Sequence, residues 1–259
     1  MVGGPARLTA PATAPARRLP DWVTLVRAPN PGPMTLDGTN TWVLRAAPGS
    51  PATVVDPGPA DDGHLAAVLA TGPVAHVLLT HGHHDHSEGV PAFLARSGAT
   101  LVAPADARHG GPVALDGITV EVLATPGHTA DSRCFVVSRA GQRAVATGDT
   151  ILGRGTTVVA WPDGDLGDYL ASLRALARYS GVPALPGHGP ALADTAAAAA
   201  HYREHRLARL AQVRAAVAAG ADTPEAVAAA VYADVPEPLR TAAGWSVRAQ
   251  LAYLAAEQR

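Results

Sequence analysis

Residues Thr80-His81-Gly82-His83-His84-Asp85-His86-Ser87 place four histidines and a carboxylate directly after an apolar run that ends at Leu79. Neutral imidazole and carboxylate side chains that leave one turn together converge readily on a metal ion. The spaced set His81, His83, Asp85 and His86 fits the pattern H-x-H-x-D-H, and with no thiolate in it the donor chemistry suits a zinc, iron or manganese pair. A solvated histidine loop or a terminal tag would not set an aspartate between the imidazoles. The stretch therefore predicts a hydrolytic metal site. His84 falls between the ligands and outside the pattern, and reads as an exposed or supporting residue.

The octet alone supplies too few ligands for two ions, so further donors are expected at strand ends downstream. Three occur. His128 stands in TPGHT after the apolar run Ile118 to Leu123, Asp149 in TGDT after Ala144 to Ala146, and His188 in PGHG after Pro183 to Leu185. Each follows a short apolar segment and has glycine beside it, as loops at one edge of a sheet do.

With these residues in hand, the chain from about Trp22 to Pro190 resembles the metallo-β-lactamase-fold hydrolase superfamily, whose motifs run in this order and at comparable spacing. The resemblance implies an α/β fold, a four-layer αββα sandwich. It also implies that His81, His83 and His128 hold one metal and Asp85, His86 and His188 the other, with Asp149 bridging them. Two divalent ions are expected, zinc foremost, with iron or manganese as alternatives. A hydroxide shared by the ions would be the nucleophile, and Asp85, fixed beside it, would take or relay a proton. Asp56, in Thr53-Val54-Val55-Asp56-Pro57-Gly58, resembles the first motif of the superfamily. There it would accept a hydrogen bond from a ligand imidazole and fix its tautomer, while also serving an Asp-Pro-Gly turn.

Composition frames this site. The chain has 259 residues, 47% of them hydrophobic, enough for one large core and a small appendage. A formal net charge of −2 gives no global basic field for nucleic acid or an anionic membrane. All twenty basic residues are arginine, which with the abundant alanine reflects coding bias more than phosphate-binding design. Cys134 is alone, so no intrachain disulfide forms, and its apolar setting reads as a buried inert thiol. Residues 1–20 lack an apolar signal core and read as a flexible tail, and no run is long enough for a membrane span. A cytoplasmic protein with no membrane partner is the expectation.

Along the chain, strands are expected at Trp42 to Leu44, Thr53 to Val55, Ala75 to Leu79, Thr100 to Ala103, Ile118 to Leu123, Cys134 to Val137 and Ala144 to Ala146. Helices are expected at His64 to Ala70, Val90 to Arg96 and Asp168 to Tyr179, the last carrying Leu170, Leu173 and Leu176 as a core stripe. The catalytic domain then spans 21–195, and 196–259 form a small helical domain. Within it Ala196 to Ala219, Ala226 to Tyr232 and Ser246 to Glu257 read as helices, the second introduced by Thr223 as N-cap and Pro224 in the first turn. This extension resembles the winged-helix-like tail of the lactamase-beta-like subgroup, which includes endoribonucleases. Little sequence is left for a wing hairpin, so a three-helix cap without stable DNA binding is expected.

Two substrate readings follow. The subgroup resemblance implies cleavage of single-stranded RNA, with Arg203, Arg206, Arg209 and Arg214 tracking the phosphate backbone. The alternative is a thioesterase or glyoxalase-II-like hydrolase of small acyl substrates, in which those arginines form a solvated helix face. Asn40, Thr41 and Thr157 are candidate donors to a substrate oxyanion, phosphate or carboxylate. A β-lactamase is disfavoured because Asp149 holds the bridging position in place of cysteine. A diiron redox protein is disfavoured by the lack of a flavodoxin-like second domain.

Overall fold

A computed structural model describes residues 14–102 and 111–257. Two five-stranded mixed sheets form its centre. The first runs in the order β1 (Val23–Arg27), β2 (Asn40–Arg45), β3 (Ala52–Val55), β4 (Val74–Leu78), β5 (Thr100–Leu101). The second runs β10 (Ala184–Pro186), β9 (Gln142–Gly148), β8 (Arg133–Arg139), β7 (Ile118–Ala124), β6 (Val113–Leu115). Most sequence-predicted strands sit inside these ranges, and Ala103 lies outside the described residues.

The period-two alternation of strand side chains builds four layers from two sheets. Trp42, Leu44, Val55 and Leu78 of the first sheet meet Ile118, Phe135, Val137, Ala144 and Leu185 of the second in one cluster between the sheets. Their neighbours Val43, Val54 and Val77 point the other way, onto Leu65, Val68 and Phe93 of helices α1 (Asp62–Leu69) and α3 (Val90–Ser97). On the far side, Cys134, Val136, Val145 and Ala184 pack against α4 (Leu166–Leu176) and the C-terminal helices. Strands buried on both faces read as unbroken apolar runs, which is why they were legible. Truncating Leu44 or Leu78 to alanine would cost ~2–5 kcal/mol at such positions.

Strand direction gathers the site at one edge. β3 runs parallel to β4, and β10 parallel to β9. β7 and β9 are both antiparallel to β8, so they share a direction. β2 is antiparallel to β3, so its start lies where β3 ends. The two sheets are tied at this edge: the Asn40 amide donates to Gly187 O at 2.7 Å, the Trp42 Nε1 to Pro186 O at 3.0 Å, and the Arg133 amide to Thr80 O at 2.9 Å.

The C-terminal region comprises α5 (Thr195–Ala218), α6 (Pro224–Val231), a 3₁₀ turn (Glu237–Leu239) and α7 (Arg240–Glu257). Asp194 caps α5 by accepting from the Ala197 amide at 3.0 Å, and Thr223 caps α6 by accepting from Ala226 at 3.1 Å. Among the described residues no strand follows Pro186. Ala198, Ala199, Tyr202, Leu210, Val213, Val227 and Val247 join the same cluster as α4, so the helical region shares a core with the second sheet's outer layer. Tyr202 fastens α5 to the loop after β9, its hydroxyl accepting from the Leu152 amide at 3.1 Å and donating to Leu152 O at 3.0 Å. α7 starts at Arg240, six residues earlier than the sequence pattern suggested, and Ala242 is already buried in that added turn. No described helix is long and apolar enough to cross a membrane.

The expectation of a tail over 1–20 is corrected from residue 14 onward. Pro15 bridges Leu192, and the Ala16 amide donates to Ala191 O at 2.9 Å, so backbone pairing holds this stretch against the segment after β10.

Candidate metal centre

The octet leaves β4 as a loop, and His84–Ser87 form a single helical turn, α2. This turn swings His86 inward and leaves His84 exposed. His128 follows β7, Asp149 follows β9 directly, and His188 follows β10. His81, His86, His128 and His188 are all buried.

All seven expected ligands come together. The ligand atoms of His81, His83 and His128 lie within 4.8 Å of one another, as do those of His81, His86 and Asp149, and those of Asp85, His86 and His188. His83 Nδ1 is 3.0 Å from His81 Nε2 and 3.1 Å from His128 Nε2. In the other group, Asp85 Oδ2 is 3.1 Å from His188 Nε2 and 3.3 Å from His86 Nε2. Asp149 stands between the groups, with Oδ1 3.5 Å from His86 Nε2 and Oδ2 3.7 Å from His128 Nε2 and 3.4 Å from His188 Nε2.

The outer ring nitrogens are anchored, which fixes the tautomers. His128 Nδ1 donates to Val158 O at 2.6 Å, and His86 Nδ1 to Asp56 Oδ2 at 2.8 Å. Thr80 donates its hydroxyl to Asp56 Oδ2 at 2.7 Å, so its oxygen accepts from His81 Nδ1 at 3.1 Å. Asp56 thereby orients two imidazoles, one directly and one through Thr80, and leaves both Nε2 lone pairs facing the centre. It sits at φ +52° just after β3, a left-handed conformation that aspartate tolerates better than most residues.

The charges are as informative as the distances. Burial depresses His81 well below the ordinary histidine value and lowers His128. For His86 burial also opposes the charged form, but the Asp149 and Asp56 carboxylates outweigh it and hold the ring well above that value. His188 is pushed up to about 10, against burial, by Asp149 and then Asp85. Asp149, although buried, is held well below the usual carboxylate range by His188 and His86. The field around Asp149 thus calls for cations, a demand that protons or metal ions can meet.

Two further observations fit a metal. Asp149 Oδ1 is buried without any hydrogen-bond partner, a costly state for a carboxylate oxygen unless a cation faces it. Gly187 also keeps the centre open, since a Cβ there would stand 2.4 Å from Asp149 Oδ1 and 2.6 Å from His86 Cε1.

The weaker expectations fare differently. Asn40 is buried and spends its amide protons on Pro186 O and Gly189 O, at 3.0 and 2.8 Å. Thr41 is buried, with its hydroxyl donating to Asp56 O at 2.6 Å. Both side chains are committed to hydrogen bonds along β2, at the seam that joins the sheets. Thr157 lines the cavity beside the centre, but its hydroxyl donates to Asp149 O at 2.6 Å and so braces that residue's backbone. The residue that sequence reasoning missed is Thr39, one position before Asn40, whose hydroxyl donates to Asp85 Oδ2 at 3.0 Å.

Beside the centre lies a cavity of about 330 Å³. Its lining includes His128, Asp149 and Thr157, the apolar Met34, Leu36 and Leu152, and Tyr232 and Leu239 of the C-terminal region. Arg154, which also lines it, donates to Asp37 Oδ1 at 2.7 Å and so joins the loop after β9 to the loop before β2. The proposed arginine track is corrected. Arg206 and Arg209 are turned inward and buried, Arg214 pairs with Glu257 at 2.6 Å, and Arg203 alone of the four is exposed without a carboxylate at ion-pair distance among the described residues.

Comparison with known proteins agrees with this geometry. Residues 34–118 and 103–188 match the metallo-beta-lactamase superfamily, and 223–259 match the beta-lactamase associated winged helix domain. Beta-lactamase-like protein 2 homolog of Caenorhabditis elegans is 34% identical over 253 residues, which span 88% of this chain and 82% of that protein. Atrochrysone carboxyl ACP thioesterase of Aspergillus chevalieri is 34% identical over 249 residues, 88% of this chain and 78% of that one. Among solved structures, a beta-lactamase domain protein from Burkholderia ambifaria superposes with a TM-score of 0.75 at 24% identity, covering 96% of this chain and 91% of that one. The chain belongs to the metallo-β-lactamase superfamily and is a hydrolase of that fold carrying a C-terminal extension.

Proposed function

We propose that the protein hydrolyses acyl thioesters at a dinuclear metal centre. The observation that carries this reading is the largely apolar cavity that His128 and Asp149 help to line. Its volume of about 330 Å³ is at the lower end of small-molecule sites, enough for an acyl chain and narrow for a nucleotide strand. Two relatives whose names include thioesterase, from Aspergillus chevalieri and Emericella nidulans, support the same class. The inward turn of Arg206 and Arg209 breaks the arginine track expected along an RNA backbone, and the net charge of −2 offers no basic field in its place.

In this reading His81, His83 and His128 would hold one ion and Asp85, His86 and His188 the other, with Asp149 available to both groups. Zinc suits the donor set, with iron or manganese as alternatives. Two such ions supply an acidified water and positive charge for the oxyanion that develops on the carbonyl. The chain's own residues do the rest. Val158 O, Asp56 and Thr80 hold the imidazole rings in one tautomer. Asp85 has Oδ2 engaged by Thr39 and His188, and none of these contacts uses Oδ1, which takes the proton of the attacking water. As the water oxygen bonds to the carbonyl carbon, the carbon–sulfur bond breaks, and the proton passes from Asp85 to the departing thiolate. The products are a carboxylic acid and a thiol.

The test is a screen of zinc-loaded protein against N-acetylcysteamine thioesters and a single-stranded RNA oligonucleotide. Thioester turnover without RNA cleavage is the expected result. RNA cleavage without thioester turnover would overturn the proposal.

A further inference from the structure

The cavity that His128 and Asp149 help to line also holds two arginines whose charges nothing in the proposed chemistry uses. Arg206 and Arg209 are three residues apart on α5, so they share a face of the helix, and only 4% and 6% of their surfaces are exposed. Both line the cavity, with Tyr232 and Ser246 beside them. Arg206 has its Nε buried without a hydrogen-bond partner, and its guanidinium lies 5.7 Å from the centre of the Tyr169 ring. Arg209 lies 4.8 Å from the Tyr232 ring centre and donates to Val231 O at 2.9 Å and Gln212 Oε1 at 3.0 Å.

Among the described residues no carboxylate stands at ion-pair distance from either guanidinium. Two acids line the same cavity: Asp149 belongs to the metal cluster, where His86 and His188 face it, and Asp234 is exposed. Burying a charge is costly unless a counter-charge meets it, and here two buried cations line one largely apolar space. His205 registers that field: burial first, then Arg206 and Arg209, push its ring down to about 4, so it adds no third charge at neutral pH.

We infer that Arg206 and Arg209 bind a carboxylate at the far end of the acyl group, so that the preferred substrates are thioesters of dicarboxylic or similarly acid-tipped acyl chains. The guanidinium fork matches a carboxylate in a bidentate way. The direction of binding follows from access. A thiol carrier must reach out to solvent from the scissile bond, so the acyl chain is the part that runs inward to the arginines. This inference rests on the thioesterase reading and names the substrate class for it.

The experiment compares N-acetylcysteamine thioesters of monocarboxylic and dicarboxylic acids in four-, six- and eight-carbon pairs, with zinc-loaded full-length protein. In parallel, the free hexanoate and hexanedioate are titrated calorimetrically. Wild type is expected to favour the carboxylate-bearing partner at one chain length by about tenfold or more in kcat/KM, the scale of a charge-assisted hydrogen bond. Hexanedioate is also expected to bind more tightly than hexanoate. Arg206→Met and Arg209→Met should each shrink the preference, chiefly through KM. Arg206→Lys, which keeps the charge without the fork, should retain part of it. Equal kcat/KM within every pair in wild type, or a preference that survives the double Met variant, would overturn the inference, and the wild-type comparison decides even if a variant fails to fold. If no thioester is turned over while hexanedioate still binds through Arg206, the hydrolysis reading fails and the anion site stands.

Discussion

The hydroxyl of Thr39 donates to Oδ2 of Asp85 at 3.0 Å, and Asn30 positions Thr39 in turn, its Nδ2 donating to Thr39 Oγ1 at 3.0 Å and its Oδ1 accepting from the Thr39 amide at 2.8 Å. The loop before β2 thus sets the rotamer of a residue on the metal loop. Removing the donor with Thr39→Val is expected to lower kcat or metal affinity by about 10- to 100-fold, the range for groups that orient metal ligands. Steady-state kinetics with metal analysis checks this, and wild-type values for both would remove Thr39 from the positioning of Asp85.

Asp56 carries more. Asp56→Ala strands the Thr80 amide, the Thr80 hydroxyl and His86 Nδ1, all buried, and each orphaned group costs about 1–3 kcal/mol. The variant is expected to be strongly destabilised in urea melts and to lose metal. Asp56→Asn, which also tolerates the left-handed backbone, should lose less stability while still weakening metal binding.

Gly187→Ala tests the geometry from the other side. Its Cβ would press on Asp149 Oδ1 and His86 Cε1, so the ligands must move apart. Metal content after reconstitution is expected to fall with only a modest change in thermal stability. Full metal occupancy would show that the centre has more room than these contacts allow.

His205 supplies a pH dependence away from the metal ligands. Its folded-state pKa is about 4 against 6.5 for the free side chain, so as pH falls below about 6.5 the unfolded chain takes up the proton first. His205 therefore leaves stability unaffected above about 6.5 and lowers it progressively as pH falls from there towards about 4. Between about pH 7 and pH 5 the melting temperature of His205→Gln is expected to drop less than that of wild type. Parallel curves would place His205 in a less positive setting.

Much of the centre was legible because its signal is chemical and local. Imidazoles and carboxylates next to glycine after apolar runs mark loops at a sheet edge, and His81 to His188 come together on that basis. Strands buried on both faces, such as β3 and β4, were equally plain. β1 was not, since it is an edge strand with only Val23 of its five residues fully buried, and neither was β6, three residues long. The substrate contacts were less legible for a different reason. Asn40 and Thr41 carry suitable donors, but strand register decides which way they point, and one step along the chain separates them from Thr39. The arginines of α5 failed likewise, because its burial comes from packing on α4 and α7 rather than from an apolar stripe in its own sequence.

The central claim is that hydrolysis depends on metal held by this cluster, and it is tested most directly by titrating zinc into chelator-stripped protein while following thioester turnover. Activity is expected to rise from near zero and saturate at roughly two ions per chain, with Asp149→Ala binding less metal and remaining inactive at any zinc concentration. Turnover that survives complete stripping, or an Asp149→Ala variant as active as wild type, would contradict the account.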